Sequence, residues 1–507
     1  MTHPEATEHA RSADPGGSAR HTPAAGSQGG QPTLQEGPLL LYGEEFTHDP
    51  APLYARARAT APIVRARVHE DVEVSLVVRY HTALKVLHHP EFSKNSGPWF
   101  EARERAGLPI PAVLEMMRVR PNALYEDGEE HHRLSTVIRD SLGRLDPPTL
   151  RRTARRIADE LVDTFAERGE ADLLGEYAAV LPLRMFFAMF GVPDELGARI
   201  QQLTAAVFDG GPDAARANEE LSAAWQELVT LKRQRPGEDV ASWLLAHPES
   251  SGDDAEIINQ LLLVLGAGTE PEQNLIASTL LQLLTDDSSY GRLLSGSQRI
   301  AEALETTLLD YAPMANYATH YPVRDLEIDG ILLPAWEPVM ISFGSCNQDE
   351  ALRGDAATGG TGDSGYRAHL AWSAGPHECP AWSVAMMMAS VAIEVLLDRL
   401  PDIELGAPKP TMSWRPGPYQ RGLSALPVVF PAQPVRRQDA EEDQNGTGGR
   451  PLWQPSTSSS APTAPHPTPS PTPSTPTAPT STARRPDSAP TGLRRVFASL
   501  AAWWRGQ

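Results

Sequence analysis

Apolar residues recur at helical spacing through most of the middle and the C-terminal half of the chain. The stretches from Arg151 to Phe165 and from Leu221 to Leu231 are strongly amphipathic. The longest apolar stretch, Asp254 to Leu284, contains the segment Gly266–Pro271, which we expect to interrupt and kink the helix because Gly and Pro weaken the backbone ladder. Another unbroken helical run extends from Trp382 to Leu400. The pattern predicts a mainly helical protein.

Short β-branched or alternating runs stand between the helices. Near the N-terminus, Ile63–Val68 and Val72–Val78 predict a small sheet, and Tyr80–His88 returns to helical spacing. Three later runs have strand character: Leu326–Leu332, Val339–Phe343 and Val428–Phe430. We therefore expect an α+β fold that is mainly α with small β-sheets, in one large domain over residues 38–432.

The two ends of the chain differ in composition from this domain. Residues 1–37 are rich in Gly, Ala, Pro, Ser and His without an apolar period, which indicates disorder. Residues 433–490 contain a Pro/Ser/Thr-rich tract that is typical of an extended linker. Residues 491–507 regain helical spacing beside several Arg residues and predict a basic amphipathic helix. Such a helix can lie on an anionic membrane surface or bind a partner protein, and a frayed tail is the alternative.

Charge and cysteine content exclude several classes of protein. The formal net charge of -21 argues against a general nucleic-acid-binding protein, which carries a basic surface. Only Cys346 and Cys379 are present, so there is no disulfide framework and a reducing cytoplasm is the expected compartment. The sequence shows no signal-peptide core and no apolar run long enough to span a bilayer. We expect a cytoplasmic protein that can associate peripherally with a membrane through residues 491–507.

One cysteine stands in a setting that suits metal binding. Cys379 lies in the Gly- and Pro-containing loop Trp372–Ala381, with His377 two residues before it and an apolar helix directly after it. A tight loop directs backbone N–H groups at the sulfur, and together with the helix N-terminus they favour thiolate over thiol. A lone thiolate suits one axial bond to a haem iron better than a tetrahedral zinc site. A buried structural cysteine is the alternative.

From about Leu39 to Pro431 the chain resembles a bacterial cytochrome P450, a haem-thiolate monooxygenase. Its cysteine loop is similar to the family's Phe-Gly-x-Gly-x-His-x-Cys-x-Gly: Gly375, His377 and Cys379 match, and Trp372 replaces Phe. Further family motifs follow in the same order: Asp49-Pro50, Val78-Arg79-Tyr80, Phe92-Ser93, Asn347 with Asp349, and Arg421-Gly422-Leu423. The resemblance implies heme b (iron protoporphyrin IX) as the cofactor and Cys379 as the ligand of its iron.

The resemblance also implies a set of residues around the haem propionates. His131 matches the family's histidine on a helix, His377 matches the histidine of the cysteine loop, and His320 stands where a later arginine is usual. The arginine expected four residues after His131 is Ser135, although Arg133 keeps a positive charge nearby. Partly buried propionates need cationic or N–H donors, so three histidines would form a weaker, pH-dependent clamp.

In the long helix the family usually has Ala-Gly-x-(Asp/Glu)-Thr, where the acid and the hydroxyl deliver protons to dioxygen. Ala267, Gly268 and Glu270 match, whereas Pro271 stands at the threonine position. Proline has neither a hydroxyl nor an N–H. By resemblance, proton delivery then falls to Thr269, Glu270, water or a substrate hydroxyl.

A second departure from the family lies in the helix that precedes the later strands. The family's Glu-x-x-Arg pair falls at Thr307 and Asp310, so the ion pair is missing. Other packing can often replace a buried ion pair, so its loss does not prevent folding. A subgroup of actinobacterial members is similar in lacking this pair.

Three functions fit these residues. The resemblance implies a monooxygenase that oxidises a small apolar molecule with dioxygen. Because no flavin or dinucleotide motif is present, its electrons would come from a ferredoxin-type partner and its reductase. The second function is a non-catalytic haem-binding sensor or scaffold that the C-terminal helix recruits to a signalling or membrane complex. The third is a protein that no longer binds haem, in which Cys379 is a core thiol.

Overall fold

The computed structural model describes residues 37–209, 213–285, 291, 299–352 and 368–435. The helices are α1 Glu44–His48, α2 Ala51–Thr60, α3 Tyr80–His88, α4 Gly97–Arg105, α5 Gly128–Gly143, α6 Pro147–Asp163, α7 Val180–Phe190, α8 Asp194–Asp209, α9 Ala214–Gln234, α10 Val240–Ala246, α11 Asp254–Thr285, α12 Ile300–Asp310, α13 Phe343–Cys346 and α14 Trp382–Arg399. The strands are β1 Leu39–Leu40, β2 Ile63–His69, β3 Val72–Val77, β4 Phe92–Ser93, β5 Glu170–Asp172, β6 Asn316–Pro322, β7 Leu326–Ile328, β8 Ile331–Leu333, β9 Val339–Ser342, β10 Glu404–Leu405 and β11 Pro427–Val429. The mainly helical fold with small sheets is thereby confirmed. The expected N-terminal tail up to residue 36, most of the linker and the basic helix at 491–507 lie outside the described residues.

Six strands form the main sheet, in the order β1-β2-β3-β9-β6-β4. The predicted pair β2 and β3 is antiparallel, with Ile63 opposite Val77. Strand β9 joins β3 in parallel, and β6 pairs antiparallel with the other side of β9. The run Leu326–Leu332, which the pattern predicts as one strand, is divided into the hairpin β7-β8.

Strand β6 is the element that the apolar pattern does not predict. It is buried along nearly its whole length, yet it contains polar residues such as Asn316 and His320. Its register against β9 shifts between Tyr317 and His320, and Ala318 within the shift has a positive φ of 47°. Irregular backbone of this kind is concentrated at functional sites because it re-aims side chains. Here the irregular strand carries His320 toward the interior.

Helix α6 shows how the amphipathic pattern becomes core. Its N-terminus is capped by Asp146, whose carboxylate accepts a hydrogen bond of 3.0 Å from the backbone N–H of Thr149. Leu150, Ile157 and Leu161 recur on its buried face. Each such side chain contributes roughly 1.5–3 kcal/mol on burial. This packing supports the C-terminal helix α14 through Arg399, whose guanidinium pairs with carboxylates of α6.

The expected interruption of the long helix is wrong, and the expected kink stays a prediction. Helix α11 runs without a break from Asp254 to Thr285, with Pro271 inside it. A proline removes one N–H from the ladder, and burial of the residues on both sides of it stabilises the rest of the helix. None of the helices in the described ranges has both the length and the apolar character needed to cross a bilayer.

Candidate functional site

The site is a cavity between α5, α11, strand β6 and the loop that precedes α14. Most of the residues expected at the site line this cavity: Cys379, His377, His131, His320, Trp372, Ala267 and Gly268. The remaining three, Gly375, Thr269 and Glu270, do not. The rest of the wall is largely apolar and includes Met116, Ile138, Leu142, Phe186, Met189, Leu262, Leu263 and Leu275.

Backbone geometry fixes the cysteine loop. The N–H of Cys379 donates to the carbonyl of Trp372 at 2.9 Å. Gly375 has a φ of 73°, and a Cβ at this position would lie 2.4 Å from the carbonyl oxygen of Leu87. Only glycine fits there, so Gly375 packs the loop against α3 instead of lining the cavity. Ser373, which replaces the family's first glycine, also has a positive φ, of 62°.

The backbone N–H groups of Ala381 and Trp382 are directed at the Cys379 sulfur, as the loop and the helix start predict, and they lower its pKa. Burial acts more strongly in the opposite direction and raises the pKa of the Cys379 thiol to about 11. A cation bound at the sulfur would supply the missing stabilisation.

Three histidines meet at the edge of the cavity nearest α5 and β6. The rings of His131 and His377 lie with their centroids 3.9 Å apart. His320 is 4% exposed, with its Nδ1 directed at the carbonyl of Ala318. Burial lowers the pKa of His131, lowers that of His377 to about 2, and lowers that of His320 well below its ordinary value. The three rings are therefore neutral at pH 7 and offer N–H groups, not charge.

The nearby arginine does not supply the missing charge either. Arg133 does not line the cavity, and its guanidinium is engaged by Glu130 and Glu256, each at 2.6 Å. Ser135, at the position of the family's arginine, does line the cavity. The positive charge that Arg133 keeps near His131 is thus paired with two carboxylates outside the cavity.

Lys94 is a site residue that the sequence reasoning missed. It is 5% exposed, lines the cavity, and follows Ser93 at the end of β4. Its Nζ donates to the carbonyl of Thr319 at 2.8 Å. Burial lowers the pKa of Lys94 to about 7, whereas the charge of Asp127 opposes this shift. The available signal was a lysine directly after the Phe92-Ser93 motif, but nothing in the sequence indicated its burial.

Only some of the α11 residues expected at the site face the cavity. Ala267 and Gly268 line the cavity, whereas Thr269 and Glu270 point elsewhere, because successive helical residues are about 100° apart. The Thr269 hydroxyl donates to the carbonyl of Leu265 at 2.7 Å. At Gly268 a Cβ would lie 2.2 Å from the ring of Phe186, so glycine allows that ring to pack against the helix.

Pro271 and Glu272 complete this wall. Because proline has no N–H, the carbonyl of Ala267 loses its i→i−4 donor and can accept a hydrogen bond from the cavity. Glu272 is 3% exposed, and its Oε1 has no hydrogen-bond partner in the described part of the chain. Burial raises the pKa of Glu272 well above its ordinary value and so favours the neutral carboxyl.

Glu270 belongs to a closed network on the other side of the helix. Its two carboxylate oxygens accept from Arg415 and from Gln420, the latter at 2.9 Å. Asn274 accepts from Arg415 at 2.8 Å and donates to Gln420 at 3.3 Å. Gly422 makes room for this arrangement, since a Cβ there would lie 2.4 Å from the Asn274 side chain. The network fastens α11 to the C-terminal segment that carries the Arg421-Gly422-Leu423 motif.

Thr307 and Asp310 stand where the resemblance predicts the family's Glu-x-x-Arg pair. The buried hydroxyl of Thr307 accepts hydrogen bonds from Thr279 and Gln282, both at 2.9 Å, and donates to the carbonyl of Ala303 at 3.0 Å. Neutral hydrogen bonds thus satisfy the position of the family's acid. Asp310 accepts from Gln348 at 3.3 Å.

The side chains present fit a haem. The Cys379 thiol lies at a helix start, and the edge near α5 and β6 offers a buried lysine and three imidazoles. Asp127, the acid whose charge acts on Lys94, already accepts from the Ser93 hydroxyl and the Lys94 backbone N–H. Such an edge is suited to an anionic group, and the apolar wall between suits a flat macrocycle. The fit rests on the types of donors and on their arrangement around one cavity.

Comparison with known proteins places the chain in a clear context. No family model matches it. It is 31% identical to the cytochrome P450 monooxygenase PikC of Streptomyces venezuelae over 419 residues, which cover 80% of this chain and 95% of that protein. It is also 31% identical to the mycinamicin IV hydroxylase/epoxidase of Micromonospora griseorubida, over 74% of this chain and 94% of that protein. A crystal structure of a myxobacterial cytochrome P450 in complex with myristic acid matches with a TM-score of 0.66 and 26% identity, covering 78% of this chain and 99% of that one.

Proposed function

Since the chain belongs to the cytochrome P450 family, we propose that the cavity holds heme b with Cys379 as the axial ligand of its iron. The chain is a P450 monooxygenase, an oxidoreductase that hydroxylates small organic molecules. The thiol of Cys379, the one cysteine among the described residues that line the cavity, supports this assignment most directly. Family membership favours the enzyme over a non-catalytic scaffold and over a protein without haem.

The haem, when bound, supplies the activation of dioxygen that inserts one oxygen atom into the substrate. The residues of this chain hold and orient it. We assign His131, His377 and His320 to hydrogen bonds with the propionates, and Trp372 to packing against the macrocycle. Gly375 keeps the cysteine loop against α3 and thereby sets the position of the sulfur.

For proton supply we propose Glu272 in place of the absent threonine hydroxyl. Its carboxyl is at the cavity wall and burial favours its neutral form, whereas the Thr269 hydroxyl is bonded to Leu265 and Glu270 to Arg415. The Ala267 carbonyl, freed by Pro271, can hold a water or a substrate hydroxyl at the same wall. Thr269 and Glu270 then have structural roles.

The substrate that we propose is a small, largely apolar molecule. The wall formed by Phe186, Leu262 and Leu263 offers apolar surface and few hydrogen-bond partners. Among the relatives, one hydroxylates or epoxidises mycinamicin IV and another hydroxylates 2-hydroxy-5-methyl-1-naphthoate. Bacterial members of the family draw electrons from separate redox proteins, and we propose a ferredoxin-type partner with its reductase for this chain.

The carbon-monoxide difference spectrum of the reduced protein tests the ligand assignment. We expect the red-shifted band of a cysteinate-bound haem in the wild type and its loss in Cys379→Ala. Cys346→Ala is the matched control, because Cys346 is the other cysteine and is fully buried in the core away from the cavity. An unchanged band in Cys379→Ala, or its loss only in Cys346→Ala, would overturn the assignment.

Oxygen coupling tests the proton assignment. In Glu272→Gln we expect product to form about 10²-fold more slowly, since a positioned proton donor contributes about that much to the rate. A larger share of the electrons consumed should then appear as peroxide. Glu270→Gln keeps two hydrogen-bonding atoms on the far side of α11 and should leave the coupling unchanged. Equal coupling in wild type and Glu272→Gln would exclude Glu272 from the proton path.

A further inference from the structure

The proposed haem needs positive charge that the three histidines do not provide. Haem carries two propionate carboxylates, and a buried anion is stable only when charged or hydrogen-bonding groups replace its water. Ser135 is uncharged, and Arg133 is paired with Glu130 and Glu256. Two arginines also line the cavity, but Arg139 is exposed and Arg120 already donates to the Tyr125 hydroxyl and the Glu115 carbonyl. The buried cationic partner is therefore sought on another element.

Lys94 is the buried cation at this edge. It is 5% exposed, and its ammonium makes one hydrogen bond, to the carbonyl of Thr319. An ammonium has three donors, so two remain for a ligand. Within the described ranges, no carboxylate lies within ion-pair distance of its Nζ. Asp127, the nearest acid that influences it, accepts instead from the Ser93 hydroxyl and the Lys94 backbone N–H.

A second buried lysine shows what a purely structural solution is like. Lys232, whose side chain is 9% exposed, places its Nζ 2.6 Å from the Asp239 carboxylate, itself 5% exposed. Lys232 does not line the cavity, and its positive charge is neutralised by a carboxylate of the protein itself. Lys94 has the same burial but no such partner, and it lines a cavity beside three imidazoles. The contrast indicates that the counter-charge of Lys94 belongs to a ligand.

We propose that Lys94 binds a haem propionate and takes the place of the arginine that is missing at position 135. This inference rests on the proposed haem site. It adds to that site a residue outside the motifs of the cysteine loop and α5. The ammonium reaches the propionate from the end of β4, and the histidines add N–H donors around it. The propionate in turn is the negative charge that Lys94 lacks within the protein.

Proton uptake at Lys94 follows from this arrangement. Without an anion, burial lowers the pKa of Lys94 and favours loss of its proton, and the charge of Asp127 opposes this. His131 on α5 faces the same space, and its own ionisation is suppressed by burial. A bound propionate favours the charged lysine, so haem binding takes up a proton there. Binding should then weaken as the pH rises above 7.

The rate of haem loss from the full-length holoprotein to excess apomyoglobin tests the proposal. We expect Lys94→Met to lose haem about 10- to 100-fold faster than the wild type at pH 7, the effect of one charge-assisted hydrogen bond. The ratio should shrink between pH 7 and pH 10, because the wild-type lysine loses its proton. Lys85→Met, an exposed lysine whose side chain is 57% accessible and paired with Asp329, is the matched control and should match the wild type.

A rescue variant separates charge from general damage. Ser135→Arg in the Lys94→Met background restores a cation at the family position and should slow haem loss toward the wild-type rate. Lys94→Arg should retain haem and lose the pH dependence between pH 7 and pH 10, since arginine stays charged. If Lys94→Met fails to take up haem at all, recovery of colour in the double variant supports the proposal, and its continued absence in both arginine variants overturns it.

The outcomes also distinguish this inference from the haem assignment itself. A wild type without a cysteinate-bound haem spectrum would remove the proposed function. A wild type with that spectrum, together with equal haem loss in Lys94→Met at every pH, would remove only the role of Lys94.

Discussion

Two buried polar clusters flank the long helix α11 and are built on opposite plans. In the Glu270 cluster, Arg415, Gln420 and Asn274 satisfy both carboxylate oxygens and one another. In the Lys94 cluster, cationic and neutral basic groups crowd one edge of the cavity, where burial and the charge of Lys94 lower the pKa of His320 and His377. A closed cluster holds the fold together, whereas an open one costs stability until a ligand of opposite charge arrives.

The difference teaches how to separate structural from functional polarity in a buried site. By resemblance, Glu270 belongs to the motif that delivers protons in the family. In the structure it instead pairs with Arg415 and links α11 to the C-terminal segment. Lys94 stood in no chemical motif, yet it has unused donors facing a cavity. A buried polar group is therefore assigned a structural role when the chain itself supplies its hydrogen-bonding or ionic partners, and a ligand-binding role when it does not.

The largest expected effect comes from opening the closed cluster. Glu270→Ala leaves the guanidinium of Arg415 without its anion, and we expect the free energy of unfolding to fall by about 3 kcal/mol. This is the lower end of the range for breaking a buried pair, because a quarter of the Arg415 side chain is accessible to water. Urea denaturation monitored by circular dichroism measures the change. The double variant Glu270→Leu with Arg415→Met should lose clearly less than Glu270→Ala alone. A larger loss in the double variant would contradict a closed ionic cluster.

The next effect has the opposite sign and concerns the open cluster. In haem-free protein at pH 6, Lys94→Met removes a buried ammonium without a counter-charge, so we expect the free energy of unfolding to rise by about 1–3 kcal/mol. The same denaturation experiment measures it. A variant that stabilises the haem-free protein and yet loses haem faster would be the signature of a group kept for its ligand. Destabilisation by Lys94→Met would instead mean that the lysine is structurally satisfied.

A smaller effect is the pH dependence of that stability. The pKa of Lys94 is lowered to about 7 in the folded protein from an ordinary value of 10.5, so between these values the unfolded state binds more protons and stability rises with pH. Near pH 8 the free energy of unfolding of the haem-free wild type should rise by about 1 kcal/mol per pH unit relative to that of Lys94→Met. Unfolding midpoints of both proteins from pH 7 to pH 9 measure the difference. Parallel curves would show that Lys94 does not titrate in this window.

The smallest effect comes from a surface lysine. Lys85 pairs with Asp329, but its side chain is 57% accessible, so the pair is screened by solvent. We expect Lys85→Met to change the free energy of unfolding by less than about 0.5 kcal/mol, with or without haem. The same assay measures it. A change as large as that of Lys94→Met would show that burial is not what distinguishes the two lysines.

Much of the fold was predictable from local pattern. The helices α3, α6 and α14 and the strands β2 and β3 follow directly from periodicity, since one apolar face must be buried. Strand β6 was not predictable, because its polar residues and its register shift near His320 have no period. Pro271 was misjudged as a break, because local propensity is overridden when the helix on both sides is buried.

The candidate site divides in the same way. The residues Gly375, His377 and Cys379 were found from a short loop, because close backbone packing and ligand chemistry are encoded within ten residues. The direction of Glu270, the inward position of Glu272 and the burial of Lys94 depend on which elements pack beside them. No local pattern carries that information.

The sequence by itself determined the helical architecture, the cysteine loop and the absence of the usual threonine and ion pair. Only the tertiary structure decided which charges are matched inside the protein and which face the cavity unmatched. The physical reason is that the cost of a buried charge depends on partners from distant segments, here β4, β6, α5 and the loop before α14.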